Sequence, residues 1–271
     1  WGPITGPREI DHRAVIQWFR EQGIRSIELY DPWIKDTDEI KVITDALAEA
    51  EMRPCICDVE CHVVSRDPDL RRAGTEKFHQ RLAVARELGV AAVLILPCLP
   101  AWDTDFQLGE CQEWFNTALA ESLPVAKQLG ITLMIANLGF RGDMYGQADW
   151  VVETCKTFEP DVKTVYDVGN FVMAGEDPIE SLNKVFPYTV HVHLKDWVIL
   201  PTEDPGASFQ GHDEQWFQAC RFGEGIVPLA ATVRRLKELH YDGLVSPEYE
   251  GPDDPYEVMG QAFAYSRNLL A

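Results

Sequence analysis

The chain has 271 residues, which is enough for one large α/β barrel, and 46% of them are hydrophobic, as in a globular protein with a sizeable core. Its formal charge of −20 opposes binding to nucleic acids and to anionic membranes. No apolar run is long enough for a transmembrane helix and no leader segment is visible, so we expect a cytoplasmic protein whose seven scattered cysteines are reduced thiols.

Short apolar runs alternate with amphipathic stretches along the whole chain. The runs predict strands at residues 24–30, 53–58, 91–97, 131–137, 162–167, 189–195 and 244–249. The stretches predict helices at residues 11–22, 37–51, 68–88, 110–129, 147–158, 228–240 and 255–270. Asp177-Pro178 predicts the start of a further helix, and Gly130 is expected to cap the helix that precedes it.

This regular alternation favours a parallel sheet covered by helices, in a single domain that spans residues 1–271. No Gly-x-Gly-x-x-Gly follows a predicted strand, so a doubly wound dinucleotide-binding fold is disfavoured. We therefore predict an α/β fold of the TIM (β/α)8 barrel type. Its first strand is either compressed into residues 1–5 or missing from this chain.

Polar side chains follow the last four predicted strands, at the end where a TIM barrel carries its chemistry. These strand ends read Ile135-Ala136-Asn137, Tyr166-Asp167-Val168-Gly169-Asn170, His191-Val192-His193-Leu194-Lys195-Asp196 and Ser246-Pro247-Glu248-Tyr249-Glu250. Charged groups beside buried strands are costly unless something compensates them. Asp167, His193 and Glu248 offer the mixed nitrogen and oxygen ligands that suit Mn²⁺, Mg²⁺, Co²⁺ or Zn²⁺. His191 is as consistent with a hydrogen-bonded core histidine as with a ligand.

The segments TVYDVGNFVMAGEDP, VHVHLKDW, FGEGIVP and YDGLVSPEYEG, in this order and spacing, resemble the xylose-isomerase-like sugar isomerases and epimerases. The resemblance extends from about residue 11 to the C-terminus. In that family Glu, Asp, His and Glu from four consecutive strand ends hold one metal. Asp167, His193 and Glu248 match the last three positions. The family pattern at the first position is Glu-Asn, whereas this chain has Ala136-Asn137.

Ala136 allows three interpretations, because a methyl group cannot bind a metal. The first is a Glu→Ala change introduced to stop turnover. The second is a natural site that binds the metal through three side chains and completes its coordination with water or substrate. The third is a non-catalytic sugar binder.

The resemblance implies a metal-dependent isomerase or epimerase of a keto sugar or a related polyol, with Mn²⁺ as the metal expected first. In this family two carboxylates exchange a proton beside a carbonyl group and the metal stabilises the enediolate. Glu248 is expected to be one of these carboxylates, and Ala136 stands in place of the other. Lys195 is expected to steady an oxyanion, and Asp196 to orient His193 or the metal shell.

Further functional residues are expected in the loops that follow the carboxyl ends of the strands. His62 is a candidate general acid or base, since the histidine pKa lies near neutrality, although an exposed loop histidine is an equally ordinary explanation. Residues 197–225 form a connection long enough to be a lid or a contact with a second copy or an accessory subunit. The expected substrate-binding residues are Trp33, Glu60, Trp102, Asn137, Asn170, Asp196, His212 and Arg221.

Two other classes of function remain. A lyase on the same scaffold would eliminate a substituent beside the keto group, as in dehydration of a keto sugar or cleavage of a C-glycoside. A sugar binder without turnover is the second. A DNA-repair endonuclease of the same fold is disfavoured, because such enzymes use three metals and many histidines, and the acidic chain repels DNA.

Overall fold

The computed structural model describes residues 10–34, 36–97, 108–141 and 145–271. The helices in this part of the chain are α1 His12–Glu21, α2 Thr37–Glu49, α3 Pro68–Glu87, α4 Leu108–Leu129, α5 Ala148–Thr157, α6 Val168–Met173, α7 Pro178–Val185, α8 Leu229–Glu238 and α9 Pro255–Leu270. The strands are β1 Ser26–Tyr30, β2 Arg53–Cys61, β3 Ala92–Pro97, β4 Thr132–Ala136, β5 Val162–Asp167, β6 Thr189–Leu194, β7 Trp197–Leu200, β8 Phe209–Gln210, β9 Trp216–Ala219 and β10 Leu244–Pro247. None of the described helices has the length and hydropathy needed to cross a bilayer.

The described residues divide into two compact units. The first contains residues 10–135 and 158–162, and the second contains residues 136–157 and 163–271. In the first unit, β1 pairs with β2, β2 with β3 and β3 with β4, and all of these pairs are parallel. In the second unit, β5 pairs with β6 and β6 with β10, again in parallel.

The predicted α/β class, with parallel strands followed by helices, is confirmed. All seven expected strands form, and their ends agree with the predicted ones to within three residues. The strand expected within residues 1–5 lies outside the described residues. β5 is buried at five of its six positions and β6 at its last four, so the polar groups at their ends adjoin an apolar interior.

Aspartate is the N-cap residue of several helices. The side chains of Asp36, Asp67, Asp177 and Asp254 each accept a hydrogen bond from a backbone N–H in the first turn of the helix that follows. Such a cap stabilises a helix by about 1 kcal/mol. At the C-terminal end of α4, Gly130 adopts a φ of +68°, which agrees with its predicted capping role.

Residues 197–225 are more ordered than the long loop that we expected. β7, β9 and β8 pair in that order as an antiparallel sheet. Trp197 and Phe217, one from each long strand, are buried, and this burial stabilises the strand pair. The expectation of a loop without secondary structure was therefore wrong for this segment.

Candidate functional site

Three neighbouring strands of the second unit bring Asp167, His193 and Glu248 together. Asp167 and His193 are direct partners in the pairing of β5 with β6. His193 is also the partner of Ser246 in β10, and the N–H of Glu248 donates to the Leu194 carbonyl at 2.8 Å, just beyond the end of β10. Because the strands are parallel, all three side chains belong to their carboxyl ends.

The ligand atoms of these three residues lie within 4.8 Å of one another. Nδ1 of His193 is 3.0 Å from Oε2 of Glu248 and 3.7 Å from Oδ2 of Asp167. Asp167 and His193 are buried, and the Glu248 side chain is 25% exposed. The three residues that we expected to converge therefore do so in the structure.

An ammonium group stands among the same carboxylates. Nζ of Lys195 is 3.0 Å from Oδ2 of Asp167, 3.0 Å from Oε2 of Glu248 and 3.1 Å from Oε2 of Glu250. The Lys195 side chain is only 4% exposed. Glu250 was not among the candidates chosen from the sequence, although its position two residues after Glu248 was a signal for it.

These close charges shift the pKa values of the group in different directions. Burial alone would raise the pKa of Glu248, but Lys195 and His193 outweigh it and hold the pKa well below its usual range. Burial raises the pKa of Glu250, and Lys195 offsets this only in part. Burial would lower the pKa of Lys195, but Asp167, Glu248 and Glu250 raise it well above its ordinary value. Glu248 is therefore ionised and Lys195 charged near neutral pH.

A network of amide hydrogen bonds fixes Asp167. The Asn137 side chain donates to the carbonyl of Asp167 at 2.9 Å and accepts from its N–H at 3.1 Å. The N–H of Asn170 donates to Oδ1 of Asp167 at 3.0 Å, which caps α6, and the Asn170 side chain donates to the Asn137 carbonyl at 2.9 Å. This leaves Oδ2 of Asp167 for a cation. The Asn137 amide thus holds this strand end, and its expected substrate contact stays a prediction.

The carboxylate of Asp196 accepts four backbone hydrogen bonds. Its Oδ1 accepts from the N–H groups of Trp197 at 3.0 Å and Val227 at 3.1 Å. Its Oδ2 accepts from those of Gly223 at 2.8 Å and Gly225 at 3.1 Å. These four donors occupy the buried carboxylate, so Asp196 anchors the turn at residues 223–227, and the structure gives no support to its expected substrate contact.

The helix α6 was not predicted from the sequence. It begins directly after Asp167, and that residue is its N-cap. Asn170 lies in its first turn and is buried, and Oδ1 of Asn170 has no hydrogen-bond partner among the described residues. A buried acceptor beside three ionisable side chains is consistent with the expected ligand contact of Asn170.

The other residues predicted from the sequence do not belong to this cluster of charged side chains. In the first unit, Trp33 packs edge-to-face on Tyr30 at 5.2 Å, and the Tyr30 hydroxyl donates to Glu60. His62 is exposed just after β2. Trp102 lies outside the described residues.

In the second unit, His212 is half-buried against Gly146, and burial lowers its pKa. Arg221 forms a surface ion pair with Glu257 at 2.8 Å. This ion pair uses one of the guanidinium donors, and the expected substrate contact of Arg221 stays a prediction.

The side chains of the cluster suit a divalent metal. Asp167 and Glu248 supply carboxylate oxygens and His193 an imidazole nitrogen, a combination found at zinc and manganese sites. Ala136, buried at the end of β4, supplies no ligand. The three carboxylates outnumber the one ammonium among them, and this excess of acidic groups favours a bound cation.

Residues 16–269 match a protein-family model described as a xylose isomerase-like TIM barrel. This match confirms the predicted barrel class. Among curated proteins, an uncharacterized protein of Methanocaldococcus jannaschii is 24% identical over 189 residues, which are 68% of this chain and 59% of that protein. The chain thus spans less than two thirds of the length of this relative.

Solved structures share the fold at low sequence identity. The 3-keto-D-glucoside 4-epimerase YcjR of Escherichia coli superposes with a TM-score of 0.76 at 14% identity, over 95% of this chain and 94% of that one. The IOLI protein with a bound zinc atom gives 0.77 at 18% identity, over 95% and 92%. The probable 3-DHS dehydratase AsbF of Bacillus anthracis gives 0.74 at 14% identity, over 96% and 95%. At such identities the likeness establishes the fold alone.

Proposed function

The chain belongs to the xylose isomerase-like TIM-barrel family, and we propose that it is a metal-dependent isomerase or epimerase of a keto sugar or a related polyol. The observation that carries the proposal is the convergence of Asp167, His193 and Glu248, whose ligand atoms lie within 4.8 Å of one another. These residues would hold the metal, with Mn²⁺ proposed first and Mg²⁺, Co²⁺ or Zn²⁺ as alternatives. The epimerase and zinc-bound structures of the same fold support the substrate class and the metal.

A bound divalent ion would stabilise negative charge on the substrate oxygens. Glu248 is ionised, so we propose that its carboxylate takes the proton from the carbon beside the carbonyl group. Lys195 keeps one positive charge in the site for an oxyanion of the substrate.

Ala136 removes one carboxylate from the pair that the family uses. We therefore propose that the chain binds a sugar more readily than it turns one over. Restoring the carboxylate in Ala136→Glu is expected to raise both metal affinity and turnover, because a fourth protein ligand and a second proton carrier are then present. Turnover of the unaltered chain at the rate of the Ala136→Glu variant would contradict this part of the proposal.

The remaining candidates keep the roles expected from the sequence. His62 is proposed as a general acid or base. The proposed substrate contacts are Trp33, Glu60, Trp102, Asn137, Asn170, Asp196, His212 and Arg221. Substitution of each, with measurement of KM and kcat separately, assigns binding and chemical roles. A cytoplasmic location, and assembly with a second copy or an accessory subunit, remain predictions.

A lyase is the second candidate function. Removing a proton beside a keto group can expel a substituent instead of moving the carbonyl, and a probable dehydratase has the same fold. The two functions are separated by their products. The Mn²⁺-loaded Ala136→Glu variant should be incubated with free keto hexoses and with 3-keto O- and C-glycosides. Epimerised sugar supports the isomerase, and a released aglycone or a dehydrated sugar supports the lyase. Binding of these sugars without any product would support a sugar binder.

A further inference from the structure

We propose that Lys195 is a built-in competitor of the metal, and that Glu250 is the carboxylate which retains the ammonium when a divalent ion enters. This role deepens the proposed function and rests on it, because it concerns the same three ligands. Lys195 and Glu250 are then positioning residues that set how tightly the site holds its metal.

The metal ion and the ammonium of Lys195 need the same carboxylate oxygens. Oδ1 of Asp167 already accepts the Asn170 N–H, so Oδ2 is the atom left for a metal. That oxygen is 3.0 Å from the Lys195 ammonium, and so is Oε2 of Glu248. A metal ion bound at about 2.0–2.2 Å from these oxygens would stand beside an ammonium of the same sign. The ammonium must therefore move when the metal binds.

Lys195 has a further carboxylate partner close by. Oε2 of Glu250 is 3.1 Å from its Nζ, and Glu250 does not belong to the ligand group of Asp167, His193 and Glu248. An ammonium that stays with Glu250 remains paired after it leaves the other two carboxylates. Three carboxylates, one ammonium and one divalent ion are then formally neutral, which a buried site requires.

The aliphatic stem of the Lys195 side chain is held in place. A Cβ at Gly169 would clash with the Cγ of Lys195, so this stem packs directly on the glycine backbone of α6. The Trp197 ring lies 5.7 Å from the ammonium and is itself buried. Only the end of the side chain has freedom to swing, and this short swing favours a change of partner over departure into solvent.

A double-mutant cycle on metal affinity tests this exchange. Metal-stripped wild type, Lys195→Met, Glu250→Gln and the double variant are titrated with Mn²⁺, and free Mn²⁺ is measured by electron paramagnetic resonance. We expect Lys195→Met to bind Mn²⁺ at least about tenfold more tightly than wild type, and Glu250→Gln to bind at least about tenfold more weakly. The Glu250→Gln effect should nearly vanish when residue 195 is Met.

The cycle distinguishes exchange from simple charge effects. If Glu250 acted only through its negative charge, Glu250→Gln would weaken binding equally in both backgrounds, and this additive result would overturn the proposal. Glu238→Gln, an exposed site in α8, controls for the loss of a remote charge and should leave the affinity unchanged. Circular dichroism and thermal unfolding of every variant show whether it is folded.

The outcomes also separate this inference from the proposed function. Binding of Mn²⁺ by wild type with an additive cycle, or with no tightening in Lys195→Met, overturns the exchange and leaves the metal-dependent function standing. Failure of both wild type and Lys195→Met to bind Mn²⁺ overturns the proposed metal site, and the exchange with it.

Discussion

The buried carboxylate of Asp196 is expected to be one of the most sensitive positions for stability in the second unit. Asp196→Ala would leave four backbone N–H groups without their acceptor, those of Trp197, Gly223, Gly225 and Val227. Each buried donor that loses its partner costs about 1–3 kcal/mol. Because the N–H groups of Gly223 and Gly225 are only partly buried, we take the lower end for each donor and expect a loss of about 4 kcal/mol in the free energy of unfolding.

Urea unfolding followed by circular dichroism measures this loss. The midpoint should fall while the slope of the transition stays constant, which shows that stability changed without a change in the surface exposed. Asp242→Asn, at an exposed position, is the matched control and should change stability by less than about 0.5 kcal/mol. A loss below about 1 kcal/mol in Asp196→Ala would refute the anchoring role of this carboxylate.

Gly225 and His212, both in the second unit, are also expected to affect stability. Gly225→Ala would place a Cβ against the Asp196 carboxylate and the Trp197 carbonyl, so it should lower the melting temperature. The control is Gly109→Ala, whose Cβ would meet no atom within 4 Å and should leave the melting temperature unchanged. Equal effects of the two substitutions would contradict the packing at Gly225. Burial lowers the pKa of His212 in the folded protein, so the unfolded chain binds more protons below the unfolded pKa of about 6.5, and stability should fall as the pH drops through this range. The fall should be smaller in His212→Gln when urea unfolding is repeated between pH 7.5 and 5, and an identical pH profile would contradict the prediction.

The strands could be predicted from the sequence because their apolar runs are short, buried and separated by amphipathic helices. Asp167, His193 and Glu248 could be predicted because each is a metal-binding residue type at the end of such a strand, in segments that resemble a known family. In parallel strands, the register pairs Asp167 with His193, and Glu248 directly follows the last paired residue of β10.

Other features of the site depend on contacts that the sequence pattern does not contain. Four donors come to Asp196 from residues up to 31 positions away, and only the folded turn brings them there. Glu250 follows the end of β10, where loop conformation rather than strand alternation directs the side chain. The antiparallel sheet at residues 197–219 was missed because its short strands are separated by turn residues typical of loops.

Anomalous diffraction from crystals soaked in Mn²⁺ tests the central claim most directly. We predict a single strong peak at about 2.0–2.2 Å from Oδ2 of Asp167, Nδ1 of His193 and an oxygen of Glu248, and its loss in Asp167→Asn. Saturating Mn²⁺ with no peak between these three side chains, or with a peak that persists in Asp167→Asn, would contradict the metal site on which the proposed function depends.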